Sequence, residues 1–202
     1  MLNEARETMV MKYLCGKAAC HDESAAKELC DALLELKLEE IPALFLKHKA
    51  LCEVTSGSIP QLSDLAVALY RVPKVLLEAG APLSYEELGK QIYPSQSSGA
   101  QGKYGEGHGK LAVALDLASC TKQNGHWVFG TTIMGKYFCG LKQEEKDQLL
   151  QRLCYRVPII QHMAISSDPR MEMETCFAIL SESTRNRRRR NVLDLYDFAT
   201  DA

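Results

Sequence analysis

Four groups of residues in this 202-residue chain have types and spacings that could do chemistry. The densest is Arg185, Arg187, Arg188, Arg189 and Arg190, a run of guanidinium groups suited to phosphate oxygens. On a helix these five spread around most of the circumference, so two or three of them can meet one ligand. The remainder would be solvated or paired with acids such as Glu182 and Asp194. A second group is Lys103, Tyr104, His108 and Lys110, interleaved with Gly102, Gly105, Gly107 and Gly109. Glycines let a backbone come close to a phosphate, and a helix N-terminus adds partial positive charge there. The bland alternative is a flexible surface loop leading into a core helix. Third, Lys122 and His126 flank Gln123-Asn124-Gly125, where their tips can extend from a turn toward a ligand. The adjacent Trp127 is expected to pack this turn onto helices.

The fourth group is Cys15, Cys20-His21, His48 and Cys52, the only zinc candidates by spacing. His48 and Cys52 are four apart and could share a helix face, but Cys15 to Cys20 is too long for the usual knuckle. No metal or other cofactor is therefore expected. None of the eight cysteines forms a CxxC pair, and most lie in apolar stretches, which reads as reduced thiols in a core. Strings that would mark a hydrolase, an NTP-binding loop or a zinc protease do not occur. Glu144-Glu145-Lys146 lies in an amphipathic segment and reads as solvated charge rather than a nuclease centre. No enzymatic activity is expected.

The elements that must position these residues divide the chain into three regions. Residues 1–58 read as helical, with helices over 4–14, 24–38 and from Ile41 with Pro42 in its first turn. Asp22, Glu23, Glu28, Asp31, Glu35 and Glu39 make this region acidic, a poor surface for DNA and a docking surface for a larger protein partner. Residues 59–141 begin with an apolar stretch from Leu65 to Leu77, broken by Pro73. Ser84 and Glu87 then form a capping box for a short helix to Ile92. Residues 94–109 are rich in Ser and Gly and are expected to be a loop, followed by a helix over 110–119. Candidate strands 120–122 and 126–131 flank Asn124-Gly125, the strongest short-range hairpin signal, because both turn positions want positive φ. Residues 142–202 read as helices over 142–162, 171–180 and 183–198, the last capped by Ser183. The expected fold class is mainly α: a winged helix-turn-helix core with a small β-hairpin wing, flanked by N-terminal and C-terminal helical segments.

The succession LSYEELGKQIY, KYGEGHGKLAVALDLA, a hairpin, TTIMGKYFCGL and an Arg-rich last helix resembles winged-helix domains attached to prokaryotic restriction and defence proteins. LSESTRNRRRRNVLD, residues 180–194, is similar to a terminal motif of those domains, and the likeness spans roughly residues 61–199. The resemblance implies a DNA-handling role and supplies no catalytic residues. The expected function is a non-catalytic DNA-binding accessory subunit, with double-stranded DNA as partner and Lys103, Tyr104, His108, Lys110, Lys122, His126 and the five arginines as contacts. A protein–protein adaptor and a dimeric transcription regulator are the alternatives, and a homodimer is compatible with either. A net charge of -2 and a pI near 6.2 do not announce a nucleic-acid binder, so the case rests on local charge. No apolar run is long enough to cross a bilayer, and Glu4, Arg6 and Glu7 stand where a secretory signal needs apolar residues. A cytoplasmic location is expected, away from any membrane.

Overall fold

The computed structural model describes residues 2–201. The chain is mainly helical, 68% of it, with one small three-stranded antiparallel sheet. It divides into two compact units, one of residues 1–59 together with 142–202 and one of residues 60–141. The N-terminal and C-terminal segments thus fold into a common body. Among the described residues no helix is long and apolar enough to cross a membrane.

In the first unit, α1 (Glu4–Leu14) and α2 (Glu23–Glu35) start at Asn3 and Asp22, whose side chains accept from Arg6 N and Ala25 N. Helix α3 (Ile41–His48) carries Pro42 in its first turn and stops where Lys49 turns left-handed at φ 48°. The long helix expected over 142–162 is two: α8 (Gln143–Leu153) and α9 (Pro158–Ile165). Pro158 has no N–H to give and pushes Val157 out of the helical region, to ψ 113°, so the break falls there. Helices α10 (Pro169–Cys176) and α11 (Glu182–Thr200) complete the unit. Ser181, rather than Ser183, holds the N-cap position of α11. Val10, Leu33, Phe45, Leu149, Ile160, Phe177, Val192 and Leu195 are among its buried side chains. Arg152 is buried with them: its Nε and Nη2 donate to the Leu36 carbonyl at 3.0 and 2.6 Å, and Nη1 donates to Gln148 at 2.7 Å. A carbonyl cluster thereby replaces the water this cation has lost.

The second unit opens with a wide π turn over Val67–Arg71 that runs straight into α4 (Val72–Ala79). Pro73 does not break this helix. Val72 N–H reaches back five residues to Val67 O, and the widened turn absorbs the missing proline donor. Strand β1 (Leu83–Ser84) follows, then α5 (Tyr85–Ile92), α6 (Ser98–Ala114), β2 (Ala118–Gln123), β3 (His126–Thr131) and α7 (Ile133–Gly140). Ser84 and Glu87 form the reciprocal capping box of α5. The sheet order is β1-β3-β2, with Gln123 paired to His126 and Lys122 to Trp127. Asn124 (φ 49°) and Gly125 (φ 85°) make the two-residue turn between them.

The main departure from expectation is α6. The Ser/Gly-rich stretch is helix from Ser98 onward, because its glycines are contact points rather than hinges. A Cβ on Gly105 would fall well inside 3.0 Å of the Tyr85 carbonyl, and one on Gly89 of α5 likewise of the Gln101 carbonyl. The two helix backbones therefore cross in direct contact. A Cβ on Gly109 would strike the buried Phe129 ring of β3.

Candidate functional site

Helix α6 is gripped on several sides by its own unit, which decides which of its residues face outward. Lys103, Glu106 and Lys110 stand at spacings of three and four and form one stripe along the helix. Lys103 and Lys110 are exposed, and Lys110 Nζ meets Glu106 Oε1 at 2.5 Å. Tyr104 is half-buried, its ring 4.7 Å from that of Tyr93.

His108 was expected to contact DNA, and its position corrects that expectation: it is 0% exposed. Once residues 98–109 are helical, His108 falls on the inner face. Its Nδ1 lies 2.7 Å from the Tyr104 carbonyl, which can only accept, so Nδ1 carries the proton. Nε2 is left as an acceptor for Ser63 Oγ and Tyr93 Oη, each at 3.4 Å. Ser63, Tyr104 and His108 line a cavity of about 530 Å³ together with Gln61, Lys103 and Gly107. The serine–histidine separation is longer than an activated nucleophile requires, and the imidazole is oriented by a carbonyl rather than a carboxylate. The cluster fastens α6 to residues 61–63.

Burial is the main cause that holds the His108 pKa below its ordinary 6.5, against the opposing influence of the Tyr104 hydrogen bond and Asp64. The unfolded chain takes up this proton near 6.5 while the folded one resists it. Stability is therefore full above that value and is lost as pH falls below it. Replacing His108 by Asn, which keeps a donor for Tyr104, is expected to flatten the stability-versus-pH curve between about pH 7 and 5, by at most about 1.4 kcal/mol per pH unit. Denaturant titrations of both proteins across that range check this, and parallel curves would refute it.

The hairpin tip is open. Lys122, Gln123, Asn124, Gly125 and His126 are all exposed. Trp127 does not pack onto helices as expected: it is 51% exposed, because its strand partner is Lys122 at the outer end of the ribbon.

The arginines lie in the other unit, on α11, and most are engaged at home. Arg185 Nε donates to Leu180 O at 2.9 Å, and Arg187 Nε to Ser183 O at 3.3 Å. Arg188 Nη1 donates to the Ser56 and Ile59 carbonyls at 2.6 and 2.9 Å, and burial, then neighbouring Arg187, lowers its pKa. Arg189 grips Glu174 with both ends of its fork, at 2.8 and 3.0 Å, and lowers that carboxyl's pKa. Arg190 lies 3.5 Å from Asp194 with its side chain 89% exposed. Arg187 and Arg190 are the two that stand in solvent. Among the described residues no ion pair joins them to the acids of the N-terminal helices, where Arg6 pairs with Glu35 and Lys47 with Glu7.

Of the cysteine and histidine candidates, Cys15 and Cys52 come together, burial and then the neighbouring Cys52 pushing the Cys15 thiol up to about 11, but among the described residues no third candidate joins them. His48 Nε2 sits 3.5 Å from Glu7, Cys15 Sγ donates to Ala50 O at 2.9 Å, and Cys52 Sγ points at the Cys15 carbonyl at 3.8 Å. All eight cysteines are free thiols, only Cys30 and Cys154 fully buried. Three potential metal-binding side chains meet instead at His162, Glu172 and Cys176. The i, i+4 spacing of Glu172 and Cys176 was a visible signal; the approach of His162 depends on tertiary packing. Compared with models of known families, with curated proteins and with solved structures, the chain matches none.

Proposed function

We propose that residues 60–141 are a winged helix-turn-helix module that holds duplex DNA by its phosphate backbone and performs no catalytic step. The order α4, β1, α5, α6, β2, β3 with sheet order β1-β3-β2 supports this reading, since a winged helix-turn-helix has three helices followed by a hairpin, and in that reading α6 would face the groove and the β2–β3 turn would be the wing. The observation that carries it is the exposure, within one unit, of Lys103 and Lys110 on α6 and of Lys122 and His126 at the wing tip. Among the described residues neither Lys103 nor Lys122 has a carboxylate partner. Helix α6 has few side chains to read base edges, so the contact is with phosphates and is weak and sequence-independent. The accessory-subunit role in a prokaryotic DNA-transaction or defence system belongs to the same proposal and rests on the sequence likeness.

A second reading, a protein adaptor, is favoured by the exposed Trp127 beside Lys122, since a solvent-facing tryptophan is a common interface anchor. The two are separated by anisotropy titrations of the full chain against a short duplex in a salt series. Three lysine–phosphate contacts correspond to a log–log slope of about −2.7, from roughly 0.9 per phosphate. Absence of binding at low salt would reject the DNA reading.

A further inference from the structure

The side chains of His162, Glu172 and Cys176 bring three different metal-binding atoms within 4.8 Å of one another, inside the unit that holds α9 and α10. Glu172 and Cys176 are one turn apart on α10, so they share a face. His162 is near the end of α9, the helix packed against α10. Its Nδ1 lies 3.6 Å from Glu172 Oε1, and Cys176 Sγ lies 3.9 Å from the same oxygen.

The far side of the imidazole sets the tautomer of the neutral ring. His162 Nε2 lies 3.0 Å from the Cys52 carbonyl, which can only accept, so Nε2 bears the hydrogen and Nδ1 turns its lone pair toward the carboxylate and the sulfur. Metal-binding histidines are oriented in this way by an outer carbonyl. In a tetrahedral zinc site with bonds of about 2.0–2.3 Å, neighbouring donor atoms stand roughly 3.3–3.7 Å apart. The 3.6 and 3.9 Å separations match to within a few tenths of an ångström, and the third, between the imidazole and the sulfur, lies within 4.8 Å and closes as the ion binds.

We propose that His162 Nδ1, Glu172 and Cys176 Sγ bind one zinc ion, with water in the fourth position, and so clip α9 to α10. The imidazole–thiolate–carboxylate set selects zinc over magnesium and calcium, which take oxygen ligands. The His162 and Glu172 side chains are 27% and 30% exposed, which leaves the ion a route in. On loading, the Cys176 thiol proton passes to solvent and the sulfur binds as thiolate.

The test uses the full chain, reduced and stripped of metal, titrated with Co2+ as a spectroscopic probe and then with Zn2+. One Co2+ per chain is expected, with a thiolate-to-metal absorption band and the intense visible bands of four-coordinate cobalt, displaced by one equivalent of Zn2+. Cys176→Ser should abolish the thiolate band, His162→Gln should weaken binding at least tenfold, and Cys120→Ser, in the other unit, should leave both unchanged. Glu172→Gln keeps the shape of the side chain and should weaken binding while the helical circular dichroism stays intact. The proposal is overturned by the absence of stoichiometric uptake, by a thiolate band that survives Cys176→Ser, or by full affinity in Glu172→Gln.

Discussion

Replacing Gly105 by alanine is expected to destabilise the protein by about 3 kcal/mol, whereas the same change at Gly99, six residues earlier in the same helix, is expected to stabilise it by about 0.5–1 kcal/mol. The opposite signs follow from what a new methyl group would meet. At Gly105 it would collide with the Tyr85 carbonyl and crowd the Gly89 amide, both backbone atoms that cannot swing aside. Helices α5 and α6 would have to separate, opening the core around Leu88 and Leu111. At Gly99 nothing lies within 4 Å, so alanine brings only its better helix propensity and a less flexible unfolded chain. Gly89→Ala should resemble Gly105→Ala, because each glycine faces the other helix's backbone. Urea unfolding of the three variants measures the effect; equal stabilities at positions 99 and 105 would contradict the crossing.

Reversing charge at Lys103, Lys110 and Lys122 together should remove detectable duplex binding, while reversing Arg187 and Arg190 should change affinity by less than about threefold. The lysines project from α6 and the wing, and their replacement disturbs only the surface pair between Lys110 and Glu106. Such a pair contributes roughly 0.3–0.5 kcal/mol, so the fold survives. Arg187 and Arg190 are exposed but sit on α11, among arginines committed to Ser56, Ile59 and Glu174. For the wild-type chain, three phosphate contacts imply affinity falling roughly 40-fold between about 50 and 200 mM salt. Equal loss in the lysine and arginine variants would mean a diffuse charge effect rather than a site.

Local signals in the sequence carried far where they were self-contained. Asn124-Gly125 demands positive φ at two successive residues, and Ser84 with Glu87 satisfies its own helix terminus; both features stand in the structure. Helix α6 was illegible for the opposite reason. Each glycine lowers helix propensity by up to about 1 kcal/mol, so Gly99, Gly102, Gly105, Gly107 and Gly109 argue for a loop. The compensating contacts, with Tyr85, Gln61 and Phe129, come from residues far along the chain. Misplacing the start of α6 also misplaced His108, which turns inward once the helix is extended to Ser98. The arginine pairings were half visible: Arg190 with Asp194 follows helical spacing, but Arg189 with Glu174 bridges two helices. Pro73 and Pro158 illustrate the same limit. Both remove a donor, yet one is absorbed by a π turn and the other ends a helix.

The most direct test is to map amide chemical-shift changes on the isotope-labelled full chain as a short DNA duplex is added at low salt. The account predicts that they gather at Lys103, Lys110 and the Lys122–His126 turn, fade as salt is raised, and leave Arg187 to Arg190 unmoved. Shifts confined to α11, or a spectrum indifferent to the duplex, would contradict it.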